Sequence, residues 1–517
     1  MKKYTLILIT ILLLLALCSC AAEKSPADMT WEELLEYRLA EIEAPADDAE
    51  RLGLTWYQVF VYSFYDSDGD GIGDLNGVTQ ALDYIQGMGF DGIWLSPVHP
   101  SSTYHKYNVR DYFNIDPEYG TLDDFDALIE ACHTRGMKVL IDMVVNHSDF
   151  NHPWFTEHPE YYSIADEPGN GNWQPLPNGR YYECQFWDQM PDFDLENTDT
   201  RATFVDVFAY WLLERGVDGF RLDATGEYVS GNTEKNIEIL TWLNNAVKDI
   251  KPDAYIVGEF WETTNVLYDY YESGIDSFFS FPFAGSDGYV ASVLLKNNAT
   301  MEDYLQRTAA ALDAAIISNP TATNAPFLTN HDMARASGFL RRDPNLIKTA
   351  WGLSLTQPGN AFVYYGEELG MSGSGRDENK RAPMFWTDDI ASDIHGMTYG
   401  PPEMEQMTHG FPPATEQISD PESIYAYVRD AVMLRRKYPQ IGSGSFEVIS
   451  AGAGDKSGAV LRTWHDSSIV VAYNVSSEET RLTLQGTIAD VLSATGEQPR
   501  QDGDNLILPG YCIVVLT

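Results

Sequence analysis

Polar residues able to move protons or hold charge stand at the ends of several short apolar runs in this chain. Val144-Val145-Asn146-His147, Phe220-Arg221-Leu222-Asp223, Val257-Gly258-Glu259 and Leu328-Thr329-Asn330-His331-Asp332 all finish on such groups. Between them they supply three carboxylates, two imidazoles and one guanidinium. Taken singly, each has an ordinary role: Asp223 as a helix cap, Glu259 as a solvated acid, His147 and His331 as core groups, Arg221 as half of an ion pair. Brought to one place, three carboxylates repel one another, and the arrangement makes sense where a site exploits displaced proton affinities. Arg221 lies two residues before Asp223 on the same strand face, where it can donate to that carboxylate and keep it ionised.

A second constellation is Asp66-Ser-Asp68-Gly-Asp70-Gly-Ile72-Gly-Asp74. Carboxylates at alternate positions, glycines that permit a sharp turn and the carbonyl of Ile72 make an oxygen cage suited to a hard divalent cation. The pattern is not an EF-hand, because Gly77 stands where the bidentate Glu is due and a strand precedes the loop.

The elements that must position these groups follow from periodicity. Eight β-rich runs alternate with amphipathic helical stretches between Leu54 and Tyr438. The runs are Val59 to Phe64, Gly92 to Ser96, Lys138 to Val145, Gly219 to Asp223, Tyr255 to Glu259, Ser277 to Phe281, Pro326 to Thr329 and Ala361 to Tyr365. Eight repeats predict an α/β fold, a (β/α)8 TIM barrel whose reacting groups gather at the carboxyl ends of the strands. The stretch 148–197 is too long for a simple connection and is read as a small inserted domain. After Tyr438, short alternating runs separated by Gly, Ser and Asp predict a C-terminal antiparallel β-sandwich domain. The barrel is therefore assigned to 53–147 and 198–438, and the β domain to 439–517.

With 33 Lys plus Arg against 77 Asp plus Glu, the 517-residue chain carries a net charge of −44. That excludes a phosphate-backbone binder and favours a neutral substrate over nucleic acid. Residues 1–19 read as an export signal: Lys2 and Lys3 precede an apolar run from Leu6 to Leu17 that is too short to span a bilayer. Leu17-Cys-Ser-Cys20 resembles a bacterial lipoprotein box, which implies acylation of Cys20, attachment to a membrane surface and an extracytoplasmic location. Residues 20–52, rich in Glu, Asp, Ala and Pro with a weak helical pattern in Trp31, Leu34, Leu35 and Leu39, are read as an acidic tether. Cys132, Cys184 and Cys512 are too few and too scattered for a disulfide framework.

The four chemistry-bearing runs, extended as Asp142-Met-Val-Val-Asn-His147, Gly219-Phe-Arg-Leu-Asp223, Val257-Gly-Glu-Phe-Trp261 and Thr329-Asn-His-Asp332, resemble in order and spacing the four short motifs of the α-amylase family of retaining α-glucoside hydrolases. Gly92-Ile-Trp-Leu-Ser-Pro97 and Pro358-Gly-Asn-Ala-Phe-Val-Tyr-Tyr-Gly366 match as well, and Met190-Pro-Asp-Phe-Asp194 looks like the group intermediate with oligo-1,6-glucosidases and neopullulanases. The resemblance implies that Asp223 is the nucleophile, Glu259 the general acid and base and Asp332 the stabiliser of the distorted sugar, with Arg221, His147, His331, Tyr107 and His105 at the substrate. It also implies structural Ca2+ at Asp66, Asp68, Asp70, Ile72 and Asp74.

Tyr104-His-Lys-Tyr107 resembles the endo-acting type of that segment, with Lys106 in place of the usual Gly and so projected to narrow the groove or add a hydrogen bond. The function expected is α-amylase-like cleavage of α-1,4 bonds in starch, maltodextrin or maltooligosaccharides by a monomer. α-Glucosidase or oligo-1,6-glucosidase, cyclomaltodextrinase or neopullulanase, and glucan transglycosylase activities remain as alternatives. A silent glucan-binding relative is the alternative outside catalysis, and it usually lacks one of the three acids.

Overall fold

Parallel strands buried on both faces are near-continuous apolar runs, and this chain folds seven of them into one curled sheet. They are β1 (Thr55–Val59), β2 (Gly92–Leu95), β3 (Lys138–Met143), β4 (Gly219–Leu222), β5 (Tyr255–Gly258), β6 (Ser277–Phe278) and β7 (Ala361–Tyr364). Their spatial order is β7-β1-β2-β3-β4-β5-β6, each neighbour parallel. The computed structural model describes residues 24–42, 53–388, 396–405, 408–449 and 454–517. The signal segment and Cys20 lie outside the described residues.

Between β6 and β7 the eighth expected strand, Pro326 to Thr329, is reduced to two parallel bridges, Phe279 with Ala325 and Phe327 with Phe362. Those bridges join the sheet's two edges and complete the (β/α)8 ring. Pro326 lacks the N–H a full ladder needs, which explains the shortened pairing. The first strand also differs from expectation. It occupies Thr55–Val59, and Val61–Ser63 form a 3-10 turn, because the stretch from Trp56 to Phe64 is apolar except for Gln58 and Ser63 and gives no register of its own.

Aromatic residues fill the barrel: Trp56, Trp94, Phe279, Phe327 and Phe362 are buried in one cluster, with Trp56 stacked 5.6 Å from Tyr255. Gly219 opens β4 with φ 153°, and a Cβ there would meet the Tyr255 carbonyl oxygen at 1.8 Å. Only glycine lets β4 close against β5 at that point.

The long segment after β3 carries a three-stranded antiparallel sheet, Ile164–Ala165, Trp173–Pro175 and Tyr181–Glu183. Beyond the barrel, a five-stranded and a three-stranded antiparallel sheet, built from strands between Glu447 and Leu516, pack around Ala472, Leu482, Leu506 and Val514.

The stretch read as an acidic tether contains a docked helix, α1 (Trp31–Ala40). A reciprocal capping box between Thr30 and Glu33 starts it. Leu34 is buried, Trp31 stacks 6.1 Å from Tyr84, and Arg38 donates to the Ile418 carbonyl at 2.7 Å. The apolar face of α1 is the weak pattern of Trp31, Leu34, Leu35 and Leu39, a narrow row of residues three and four apart within an acidic stretch.

Candidate active site

Strand β4 sends Arg221 and Asp223 to one face, and in register Arg221 lies between Asp142 on β3 and Val257 on β5. The buried guanidinium uses that position fully. Its Nη1 donates to Asp142 Oδ1 and to Asp223 Oδ1, each at 2.7 Å, while Nη2 faces Glu259 Oε2 at 3.0 Å. A rigid planar fork thus holds acids from three strands side by side. Backbone strain assists: Ala224, directly after Asp223, has φ 50°, and its N–H turns back to Glu259 Oε2 at 3.2 Å.

The acids are in different electrostatic states. Burial pushes Glu259 up to about 8, against the pull of Arg221 and with the help of Asp223 and Asp332. A single Nη2 contact suits the carbonyl oxygen of a protonated acid as well as a carboxylate, so the pairing and the raised proton affinity coexist. Burial also raises Asp142, to about 7. Asp332 goes the other way: burial opposes its charge, but His331, Arg381 and Arg221 hold it well below the usual carboxylate range. Arg381 Nη2 donates to Asp332 Oδ1 at 2.7 Å, and His331 Nε2 lies 3.1 Å from Oδ2.

These groups floor a cavity of about 630 Å³. Asp223, Glu259, Asp332, His147, His105 and Tyr107 all line it, so six of the eight predicted catalytic and substrate residues meet there. Arg221 and His331 do not: both are buried beneath the floor, where they bond the acids rather than face the cavity. His147 Nε2 is buried without a partner, while Asn146 Nδ2 approaches Nδ1 at 3.3 Å. Burial lowers His147, and drives His105 down to about 3, so both are neutral.

Lys106 corrects the expectation of a narrowed groove. Its left-handed backbone, φ 64°, suits the Gly it replaces, but the side chain turns away, with Nζ 3.0 Å from Asp116 Oδ2 and also paired to Glu118. Sequence reasoning missed Arg381, which also bonds Tyr104 Oη at 2.8 Å, since it sits in a loop past the last barrel strand with no periodic signal. Exposed Phe186 and Trp261 on the cavity wall were missed as well.

Apart from this cavity, carboxylate oxygens of Asp66, Asp68 and Asp74 lie within 4.8 Å of one another. Asp70 stays outside that triad, its Oδ1 accepting from Ile72 N at 2.8 Å. Backbone N–H groups of Asp68, Gly69 and Gly71 point at Asp66, and Asp74 both accepts from Ser67 and caps the helix at Gly77 N. An all-oxygen anionic set with carboxylate lone pairs left over suits a hard cation.

The model of the alpha-amylase catalytic domain matches residues 58–444. Alpha-amylase 3 of Dictyoglomus thermophilum is 34% identical over 474 residues, spanning 89% of this chain and 92% of that protein. The solved structure of Eubacterium rectale Amy13B superposes with a TM-score of 0.88 at 39% identity, covering 93% of this chain and 98% of that one. That of an alpha-amylase from H. orenii superposes with a TM-score of 0.80 at 32% identity, over 90% and 99% of the two chains.

Proposed function

Because the chain belongs to the alpha-amylase family, we propose that this enzyme hydrolyses internal α-1,4-glucosidic bonds of starch, maltodextrin and maltooligosaccharides with retention at the anomeric carbon. The observation that carries the reading is the single Arg221 fork bonding both Asp223 and Glu259. In retaining enzymes the two carboxyl groups stand about 5 to 5.5 Å apart, too close for an intervening water, and one guanidinium bonding both supports that spacing.

In the first step an Asp223 oxygen bonds to the anomeric carbon as the glycosidic C–O bond breaks, and Glu259 gives its proton to the departing oxygen. In the second, Glu259 takes a proton from water, whose oxygen bonds to the anomeric carbon and releases Asp223. Ionised Asp332 and the free Nε2 of neutral His147 stabilise the oxocarbenium-like transition state through the ring hydroxyls. Tyr107 supplies a face for the sugar, and His105 a further contact. Arg221 and His331 act from beneath by orienting the acids.

Internal cleavage is favoured over chain-end attack because the groove continues. A second cavity of about 570 Å³ shares Trp261 and Asp332 with the first. Trapping with a 5-fluoro glycosyl fluoride should label Asp223, and amylose should yield mixed oligosaccharides early. Label on another residue overturns the role assignment, and glucose as sole early product overturns the endo reading in favour of an α-glucosidase. New longer glucans from maltotriose assign the transglycosylase alternative.

Structural Ca2+ held by Asp66, Asp68 and Asp74, with Asp70 and the Ile72 carbonyl contributing, would fasten the loop after β1; the clustered oxygens support this. The reading extends to a monomer exported and anchored by an acylated Cys20, and to the domain division given from the sequence. A Cys20→Ser variant released from the membrane fraction checks the anchor; unchanged membrane retention refutes it.

A further inference from the structure

His331 sits at a junction that admits one arrangement of protons. Its Nε2 lies 2.7 Å from Tyr107 Oη and 3.1 Å from Asp332 Oδ2. Asp332 is held ionised and can only accept. The Tyr107 hydroxyl donates its one proton to Asp142 Oδ2 at 3.0 Å and accepts from Arg221 Nη1 at 3.4 Å, which leaves its oxygen an acceptor toward His331. Both neighbours therefore require a donor at Nε2. In a neutral imidazole that leaves Nδ1 bare, and the group facing it at 2.8 Å is the Gln58 amide nitrogen. The amide orientation follows from the demands of the other four groups rather than from its own placement.

We propose that Gln58 on strand β1 is a positioning residue that locks His331 as the neutral Nε2–H tautomer. The inference rests on the glycosidase reading of the same site. A directed chain of hydrogen bonds then runs from β1 to the nucleophile: Gln58 to His331, His331 to Tyr107, Tyr107 to Asp142, with Arg221 joining Asp142 to Asp223 at 2.7 Å on each side. The amide N–H opposite Nδ1 also repels a second ring proton, which keeps the ring neutral.

Gln58 meets the other ring nitrogen, Nδ1, and the aromatic rings around the imidazole do not compete for it. Tyr107 stacks on its ring at 5.5 Å, Phe60 stacks on it at 6.3 Å and Trp94 meets it edge-on at 6.0 Å, none of which bonds Nδ1. The charged or titratable groups facing it are Asp332, Tyr107, Arg381, Arg221 and His105, and Arg381 Nε bonds the His331 carbonyl rather than the ring. Burial drives His331 down to about 3, so the lock operates on a neutral ring at neutral pH. Gln58 is buried in a strand of bulky apolar residues and carries no charge, so composition and charge patterning pass over it.

Two substitutions and one spectrum test this. In Gln58→Glu, a carboxylate faces Nδ1 and accepts from it, so His331 takes up a second proton at pH values where the native ring is neutral. The expected result is kcat/KM at least about tenfold lower, with a new ionisation between about pH 5 and 8 in its pH profile. In Gln58→Met the donor is lost without added charge, and kcat falls about tenfold, the rate equivalent of one hydrogen bond, while KM stays within about twofold.

Long-range 1H–15N spectra of 15N-histidine-labelled, ligand-free protein, with His331 assigned by its loss in His331→Gln, should show a neutral ring protonated at Nε2. A native His331 protonated at Nδ1 overturns the proposal, as does Gln58→Glu with the native pH profile. Equal losses of thermal stability in both variants, with kcat and pH profile unchanged in the folded fraction, assign Gln58 to packing and also overturn it. The spectrum reads the ring without substrate, so it decides the matter even if the protein cleaves no α-glucan.

Discussion

Asp142 Oδ1 lies 2.7 Å from the same Arg221 nitrogen that bonds Asp223, so the nucleophile candidate shares its cation with a second acid from the neighbouring strand. Both members of the Asp142–Arg221 pair are buried. Leaving a buried charge uncompensated typically costs about 3 to 5 kcal/mol, and less where the cation keeps other acids, as Arg221 keeps Asp223 and Glu259. Asp142→Asn should therefore lower the melting temperature and lower kcat, because Arg221 is then shared between Asp223 and Glu259 alone. Native stability in this variant would show that Asp142 does not balance the guanidinium.

Glu259 gives a pH prediction with a defined sign. Its proton affinity rises from the ordinary 4.5 to about 8, first through burial. The acid form needed to protonate the leaving group is present below that value and is lost as pH rises through it, so kcat/KM should fall on the alkaline side near pH 8. Because the folded state binds this proton more tightly than the unfolded chain, stability should also decline between about pH 4.5 and 8 from this group. Glu259→Gln should abolish the alkaline limb and slow cleavage of unactivated glucans by about 100-fold to 10,000-fold. An alkaline limb that persists in Glu259→Gln belongs to another group.

Much of this was legible in the sequence, for a physical reason. Catalytic acids at strand ends interrupt apolar runs, and a carboxylate after Phe220-Arg-Leu is visible without coordinates. What escaped was whatever depends on which side chains meet across the barrel. Arg381 reaches Asp332 from a loop 49 residues away in sequence, and Gln58 reaches His331 across 273. Neither lies in a periodic pattern, and nothing local marks either as a partner. Lys106 failed for a related reason: its backbone position was readable, but its side-chain direction was set by Asp116.

Removing a bound cation from the loop after β1 should loosen it. A ligand held at about a hundred times its dissociation constant stabilises the folded state by about 2.7 kcal/mol. Chelation with EDTA should lower the melting temperature, and Ca2+ should restore it, with Asp66→Asn abolishing the response. A melting temperature unmoved by EDTA refutes the site.

Helix α1 yields a stability prediction free of the catalytic reading. It docks through buried Leu34, the Trp31 stack on Tyr84 and the Arg38 bond to the Ile418 carbonyl. Leu34→Ala should cost about 2 to 5 kcal/mol if the helix unfolds only with the barrel. Measured melting should fall while kcat at low temperature stays native. No change in melting would mean that the segment behaves as the tether its composition suggested.

Trp261 tests how far the groove extends. It is 55% exposed, stacks 5.0 Å from Phe281 and borders both the catalytic cavity and the one beyond it. An aromatic platform of this kind contributes about 0.5 to 1.5 kcal/mol per stacked ring, equivalent to about two- to tenfold in kcat/KM. A long chain that runs past Trp261 into the second cavity loses that contact in Trp261→Ala, whereas a trisaccharide that ends short of Trp261 loses little of it. The ratio of kcat/KM for amylose to that for maltotriose should therefore fall by a similar factor. An equal loss on both substrates would mean that Trp261 acts only at the reacting sugar, and that glucan chains leave the groove by another path.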